Sequence, residues 1–313
     1  MAVATANPFM KRLVERIETE LGVANTTAIQ YLQTLYRMNG SKVFKNMGWS
    51  KDTEAVEESL ASLAPSTKAV YYRVLASVLS LYKSYGKTAR YWKKRGDEVQ
   101  PPATDVKTEK QKDNWLSWAD VVKVRDDLRS ETNPLSIGAR GRSLDDEDFT
   151  KLLEYLLVSL YTYIPPRRNK DYSEMRVVKK YRPTMSDEFN YYDRDGKQFI
   201  FNTYKTAKRY GQQIEKVPEE LVSVLELYLK FHPLRKLASY PLIVNGLGEE
   251  LNPVNGITRV LNRVFGKNLG SSMLRHIYLS DKYGGTGKKS EMEDDAEKMA
   301  HSVGVQQAIY VKK

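Results

Sequence analysis

Five residues, in chain order Arg168, Lys205, Arg275, His301 and Tyr310, are of the types needed to hold a phosphate, protonate a leaving oxygen and supply a nucleophile. A guanidinium fork matches two phosphate oxygens and keeps its proton at any physiological pH, so a pair of arginines suits the charge that builds on a phosphorane. An ammonium can act as general acid when neighbouring cations depress its pKa. A phenol can attack in line and store the bond as a phosphotyrosine. Arg168 stands in Pro-Pro-Arg-Arg-Asn-Lys-Asp beside Arg167, which is a second candidate. Arg275 stands in Ser-Ser-Met-Leu-Arg-His-Ile-Tyr, with Ser272 three positions before it. His301 precedes Tyr310 by nine positions, and only Val311, Lys312 and Lys313 follow.

Helices and a few short strands must position these groups. The first hundred residues read as a helical bundle. Asn7-Pro8 opens a helix with apolar residues at Phe9, Leu13, Ile17 and Leu21. Ile29, Leu32, Leu35 and Met38 mark a second helix ending at Asn39-Gly40. A third runs from Glu54 to Leu63. Ser66 caps a fourth that carries Val70, Val74, Leu75, Val78 and Leu81. From Lys83 to Arg95 the cations Lys83, Lys87, Arg90, Lys93, Lys94 and Arg95 interleave with Tyr82, Tyr85, Tyr91 and Trp92, a pattern suited to phosphate contacts. Residues 100–114 are polar, contain Pro101-Pro102 and read as a linker between a first domain (1–99) and a second (115–313).

In the second domain a strongly apolar helix carries Phe149, Leu152, Leu153, Leu156, Leu157 and Leu160, and the polar stretch Ser130–Asp146 before it reads as a surface loop. Strands are expected at Met175–Lys179, Glu188–Tyr192, Gln198–Tyr204 and Gln213–Val217, with a hairpin turn at Asp193-Arg194-Asp195-Gly196. Helices follow at Pro218–Phe231 and Val254–Phe265 and over most of the remainder. On this reading Lys205 ends a strand, and Val305, Ala308 and Ile309 give a helical apolar face beside Tyr310.

Composition narrows the partner. The net charge is +11 over 313 residues, which favours a polyanion, because each cation placed on a phosphate releases a condensed counterion. There is no cysteine, so disulfides, thiolate metal sites and a cysteine nucleophile are excluded; the three histidines (232, 276 and 301) are too far apart in sequence to suggest a histidine-rich metal site. No apolar run is long enough for a membrane span and the N-terminus lacks a signal-peptide pattern, so an intracellular protein without membrane association is expected.

Taken in order, these motifs resemble those of the tyrosine recombinases, the phage-integrase type of DNA-joining enzyme, in wording closest to the versions in large DNA viruses and mobile elements. The resemblance covers residues from about 115 onward. It implies a mainly α fold with a small β-sheet: an N-terminal helical core-binding (SAM-like) bundle and an α+β catalytic domain. It assigns Arg168 and Arg275 to the phosphate, Lys205 on a β-hairpin, with Lys208 and Arg209 as close rivals, to the leaving 5′ oxygen, His301 to a non-bridging oxygen and Tyr310 to the 3′-phosphotyrosyl link. Asp171, three after Arg168, fits the first motif; Arg167 misses that spacing by one. The second motif's usual histidine is Ser272 here, which puts a general base at that position in doubt. His276 and His232 read as buried structural residues. The implied partners are double-stranded DNA and three further copies, a homo-tetramer on two DNA sites, with no cofactor and no metal. DNA relaxation of the type IB topoisomerase kind, and non-catalytic DNA binding on the same fold, are the alternatives.

Overall fold

The computed structural model describes residues 7–102, 104–138, 144–284 and 289–312. The chain divides into two compact units, Met1–Pro102 and Ala103–Lys313.

The first unit is helical. Helix α1 (Pro8–Leu21) starts where the Asn7 side chain accepts the Met10 N–H at 2.9 Å and ends at Gly22, whose φ of 63° only glycine adopts at little cost. Helix α2 (Asn25–Met38) stops at Asn39, and α3 spans Thr53–Ser59, ending before the expected Leu63. Helix α4 (Pro65–Leu79) begins on Pro65 rather than on a Ser66 cap, because proline lacks the N–H that would go unpaired there. Val70 is 54% exposed and Leu81 lies past the end of the helix, so neither belongs to its inner stripe; Ala69, Tyr72, Val74, Leu75, Val78 and Leu79 do.

Helix α5 (Gly86–Glu98) carries the basic segment. Its inner face is Ala89, Trp92 and Gly96. Trp92 is fully buried, stacks on Tyr72 at 5.0 Å and donates its indole N–H to the Ser50 carbonyl at 2.9 Å. At Gly96 a Cβ would lie 3.2 Å from the Ala69 carbonyl oxygen, so glycine lets α4 and α5 approach closely.

In the second unit the expected linker is not irregular throughout. Thr108 and Gln111 form a reciprocal capping box, and α6 spans Glu109–Asn114. The stretch expected as a loop from Ser130 is also partly helical: α7 runs from Trp118 to Gly138, while residues 139–143 lie outside the described residues. Its polarity is that of a helix with a narrow buried stripe, Val121 and Leu128, packed on α8 (Asp146–Leu160). Asp145 caps α8 by accepting the Asp148 N–H, and from Tyr155 to Leu160 the helix is buried on every side.

After the short helix α9 (Asn169–Ser173) come β1 (Met175–Val178), β2 (Asn190–Asp193), β3 (Gln198–Phe201), the short helix α10 (Ala207–Tyr210), β4 (Gln213–Lys216), α11 (Glu219–Phe231) and β5 (Ser239–Pro241). The sheet order is β4-β3-β2-β1-β5; β1 and β2 are parallel and the other neighbours antiparallel. Strand β3 is shorter than expected for a specific reason. The Asn190 side chain accepts the Asn202 and Thr203 N–H groups at 2.8 Å each and donates to the Asp171 and Thr203 carbonyls. The ladder ends there, and Lys205 lies beyond it in a turn. Helices α12 (Gly256–Phe265), α13 (Ser271–Tyr283), α14 (Lys289–Lys298) and the single turn α15 (Val303–Val305) complete the unit. The molecule is thus mainly helical with one small mixed sheet.

Candidate functional site

The two adjacent arginines after α8 have different surroundings. Arg167 is fully buried and held on every side. Its Nε donates to Asp171 Oδ2 at 2.9 Å, Nη2 to Gln213 Oε1 at 3.0 Å and Nη1 to the Lys298 carbonyl, while Cζ lies 3.8 Å from the Phe201 ring centroid. Asp171, the acidic residue of the spacing argument, therefore pairs with Arg167 and not with Arg168. Beside this pair, burial raises the pKa of the Glu215 carboxyl on β4, against the pull of Arg167. Arg168 caps α9 with its backbone, and its Nη1 is buried without a hydrogen-bond partner among the described residues.

Arg275 is buried on α13. Its Nη2 lies 2.6 Å from His301 Nδ1, while Nε and Nη1 have no partner among the described residues. Its Cζ sits 4.6 Å from the centroid of the Tyr310 ring. Burial lowers its pKa to about 10, and Arg168 is close enough to push the same way. The group stays charged at neutral pH, so a buried cation is left with donors to spare, an arrangement that favours an anion.

His301 reaches the cluster through a helix ending. Ala300 adopts φ 52°, the His301 N–H bonds the Ala296 carbonyl and the Ala300 N–H bonds Glu297, which closes α14 in a Schellman turn. Burial, then Arg275, lowers the His301 pKa to about 4, so the ring is neutral. A guanidinium can only donate, so Nδ1 accepts and the ring proton is on Nε2, where it is given to Gln306 Oε1 at 3.2 Å.

Tyr310 is not on the continuous helix that its spacing from His301 suggests. The chain makes one α-turn and then a wider π-turn over Gln306–Tyr310, closed by the Val311 N–H on the Gln306 carbonyl. Ala308 and Ile309 consequently face outward, Ile309 at 50% exposure, instead of forming an apolar face. The π-turn brings Tyr310 over Arg275 and stacks its ring on His301 at 5.3 Å and 25°. His276 is hydrogen-bonded, as expected, and its acceptor is the Tyr310 carbonyl at 3.1 Å.

The structure thus brings Arg168, Arg275, His301 and Tyr310 together and leaves Lys205 and Ser272 outside their hydrogen bonds. Lys205 is exposed in the turn between β3 and β4; its neighbour Thr206 donates to the Ala300 carbonyl at 2.9 Å, which ties that turn to the residue before His301. Ser272 is exposed on the first turn of α13. Gln306 and Gln213 gave no signal in the sequence: neither falls on a spacing that marks chemistry, and each matters only through what it touches. His232 is buried between Tyr228 and Tyr240 and accepts the Leu234 N–H, away from these groups in its bonding.

On α5, Lys83, Lys87, Arg90, Lys93 and Lys94 are exposed, with Lys83 in the turn just before the helix. Lys87, Arg90 and Lys94 share the face opposite Trp92. Arg95 departs from the expectation. It is half-buried and bridges Glu57 at 2.9 Å and Glu98 at 3.0 Å, which raises its pKa and gives its charge a partner within the bundle. Among the described residues no cluster of three or more His, Asp or Glu could hold a metal ion, and no helix is long and apolar enough to cross a membrane.

No protein-family model and no curated protein matches the chain. Among solved structures, it is similar to the crystal structure of XerA recombinase, with 16% identity over 96% of this chain and 91% of that one and a TM-score of 0.41. Similarity of this degree leaves the functional reading to the side chains.

Proposed function

We propose that this chain cleaves and rejoins DNA strands through Tyr310, as a site-specific recombinase or integrase. The observation that carries the reading is the buried Arg275 guanidinium, two of whose nitrogens lack partners among the described residues, set beside Arg168 with a phenol ring across its face. A phosphodiester fits that need: it supplies two anionic oxygens, and the guanidiniums grip it more strongly as charge builds on the phosphorane.

In this reading Tyr310 gives its phenol proton to water as its oxygen attacks phosphorus, and the bond to the 5′ oxygen breaks. That oxygen takes a proton, and a 3′-phosphotyrosyl ester remains. The reverse reaction, on the same or another duplex, restores the strand. His301, neutral with its proton on Nε2, would give that N–H to a non-bridging oxygen in exchange for Gln306. Lys205 would protonate the 5′ oxygen, from a turn that Thr206 fastens to Ala300. Arg167 would act as the support of the site, not as a phosphate ligand. The exposed cations of α5 would track the backbone of duplex DNA, and a tetramer on two duplexes would exchange strands.

A labelled library of nicked duplexes, incubated with the protein in a metal chelator and then denatured, tests this. The expected result is a covalent adduct that maps to Tyr310 and is lost in Tyr310→Phe, with DNA affinity within about twofold of wild type. Adduct yield unchanged in Tyr310→Phe would sink the assignment. A second reading, duplex binding without cleavage, is favoured by the exposure of both Lys205 and Ser272. Salt-sensitive binding with no adduct on any nick would select it.

A further inference from the structure

We infer that His276 and Ser280 are positioning residues that clamp the main chain of Tyr310 to helix α13. The consequence for catalysis rests on the nucleophile reading above; the clamp itself does not.

The two residues are four apart and share one face of α13. Both reach the same acceptor. His276 Nδ1 is 3.1 Å from the Tyr310 carbonyl oxygen, and Ser280 Oγ donates to that oxygen at 3.3 Å. A carbonyl oxygen only accepts, so the neutral His276 ring carries its proton on Nδ1. Ser280 Oγ then accepts the Lys312 N–H at 2.8 Å, closing a loop of bonds around the residues that follow Tyr310. The Lys312 ammonium donates further to the Thr104 carbonyl. Above the clamp, the His276 and Tyr310 rings meet at 5.0 Å and 52°.

A carbonyl at the end of a wide turn has no helical N–H to accept, and α13 supplies two donors for it. The geometry matters because His276 directly follows Arg275. The turn of helix that presents the guanidinium also carries the first jaw of the clamp, and Ser280 stands one turn on. The distance between the Tyr310 ring and Arg275 is therefore set through one rigid element, although 35 residues separate the two in sequence. Without these bonds the Tyr310 carbonyl loses its donors, and the position of the phenol rests on its ring contacts with Arg275, His276 and His301. An error of about 1 Å in a nucleophile can cost on the order of 100-fold in rate.

The experiment compares wild type, His276→Leu, His276→Asn and Ser280→Ala in the full chain, by two measurements. The first is amide hydrogen exchange over residues 306–312. The second is the rate of adduct formation on saturating nicked duplex, with DNA affinity measured separately. Asparagine places an amide N–H close to where Nδ1 stands. His276→Leu is expected to speed exchange in 306–312 by at least about tenfold and to slow adduct formation by about 10- to 100-fold at unchanged affinity. His276→Asn should recover most of both, and Ser280→Ala, which leaves one donor, should show the smaller change. Unchanged exchange in both His276→Leu and Ser280→Ala overturns the clamp. So does a His276→Asn variant as impaired as His276→Leu, since ring packing would then be the cause. If His276→Leu does not fold, the exchange of Ser280→Ala decides alone. If wild type forms no adduct while exchange responds as expected, the clamp stands and the phosphotyrosine reading falls.

Discussion

Arg167 and Arg168 are neighbours of one residue type with opposite surroundings. Every donor direction of Arg167 that touches the protein is met, so its removal strands a buried carboxylate. Arg167→Met should lower unfolding free energy by about 3–5 kcal/mol, read from urea melts, because Asp171 would lose its counterion. Arg168→Met should leave stability nearly unchanged, since no group among the described residues bonds its Nη1. If the phosphate reading holds, it should also cut adduct formation by at least about 100-fold. The opposite pattern, with Arg168 needed for folding and Arg167 dispensable, would reverse their roles. The sequence could not separate the two. Spacing to Asp171 favours Arg168, yet the carboxylate pairs with Arg167, because a pair four residues apart is fixed here by where β4 and the end of α14 bring Gln213 and the Lys298 carbonyl.

At the scale of elements, α5 has two faces of different character. Its inner face holds the bundle through Trp92, and Trp92→Ala should cost about 3–5 kcal/mol in the first unit, measured by thermal or urea unfolding. Its outer face is solvent-exposed and cationic. If the proposed DNA reading holds, reversing Lys87 and Lys94 to Glu should leave the unfolding midpoint within a degree or two and weaken duplex binding at least about tenfold, with a shallower dependence on salt. Equal affinity for wild type and the double variant would remove α5 from the DNA-binding surface. Arg95 belongs with the first group: Arg95→Glu should destabilise the bundle, because it faces Glu57 and Glu98. The basic and aromatic alternation from 83 to 95 was legible in the sequence. Which cation is spent inside the protein was not, because Glu57 lies on another helix.

For the whole molecule, acid is the informative perturbation. Burial holds the His232 pKa at about 4, below the ordinary 6.5. Between those values the unfolded chain binds a proton that the folded chain refuses. Stability is therefore full above pH 6.5 and falls as the pH drops toward 4, by on the order of 3 kcal/mol for this one group. His301, also held near 4, adds in the same direction. Urea midpoints at pH 7 and pH 4.5 should differ accordingly, and His232→Asn should flatten the difference. A midpoint that does not move between those pH values would show that His232 is charged or exposed in the folded protein.

The sequence by itself determined the helical bundle, the apolar course of α8, most of the strand positions and the order Arg, Lys, Arg, His, Tyr. These depend on local periodicity, turn chemistry and residue type, all of which act over a few residues. Only the tertiary structure decided what those residues touch. Strand β5 is three residues whose pairing exists because β1 is there to pair with. Strand β3 stops at Phe201 because Asn190, on the neighbouring strand, takes the next two N–H groups. The His301–Tyr310 spacing reads as helix; the chain instead takes a π-turn, and packing on α13 accompanies it. The tautomers of His276 and His301 and the pairing of Asp171 follow from contacts between residues 4 to 34 apart. Burial makes those contacts matter, since a polar group removed from water must find its partner within the fold or in a ligand.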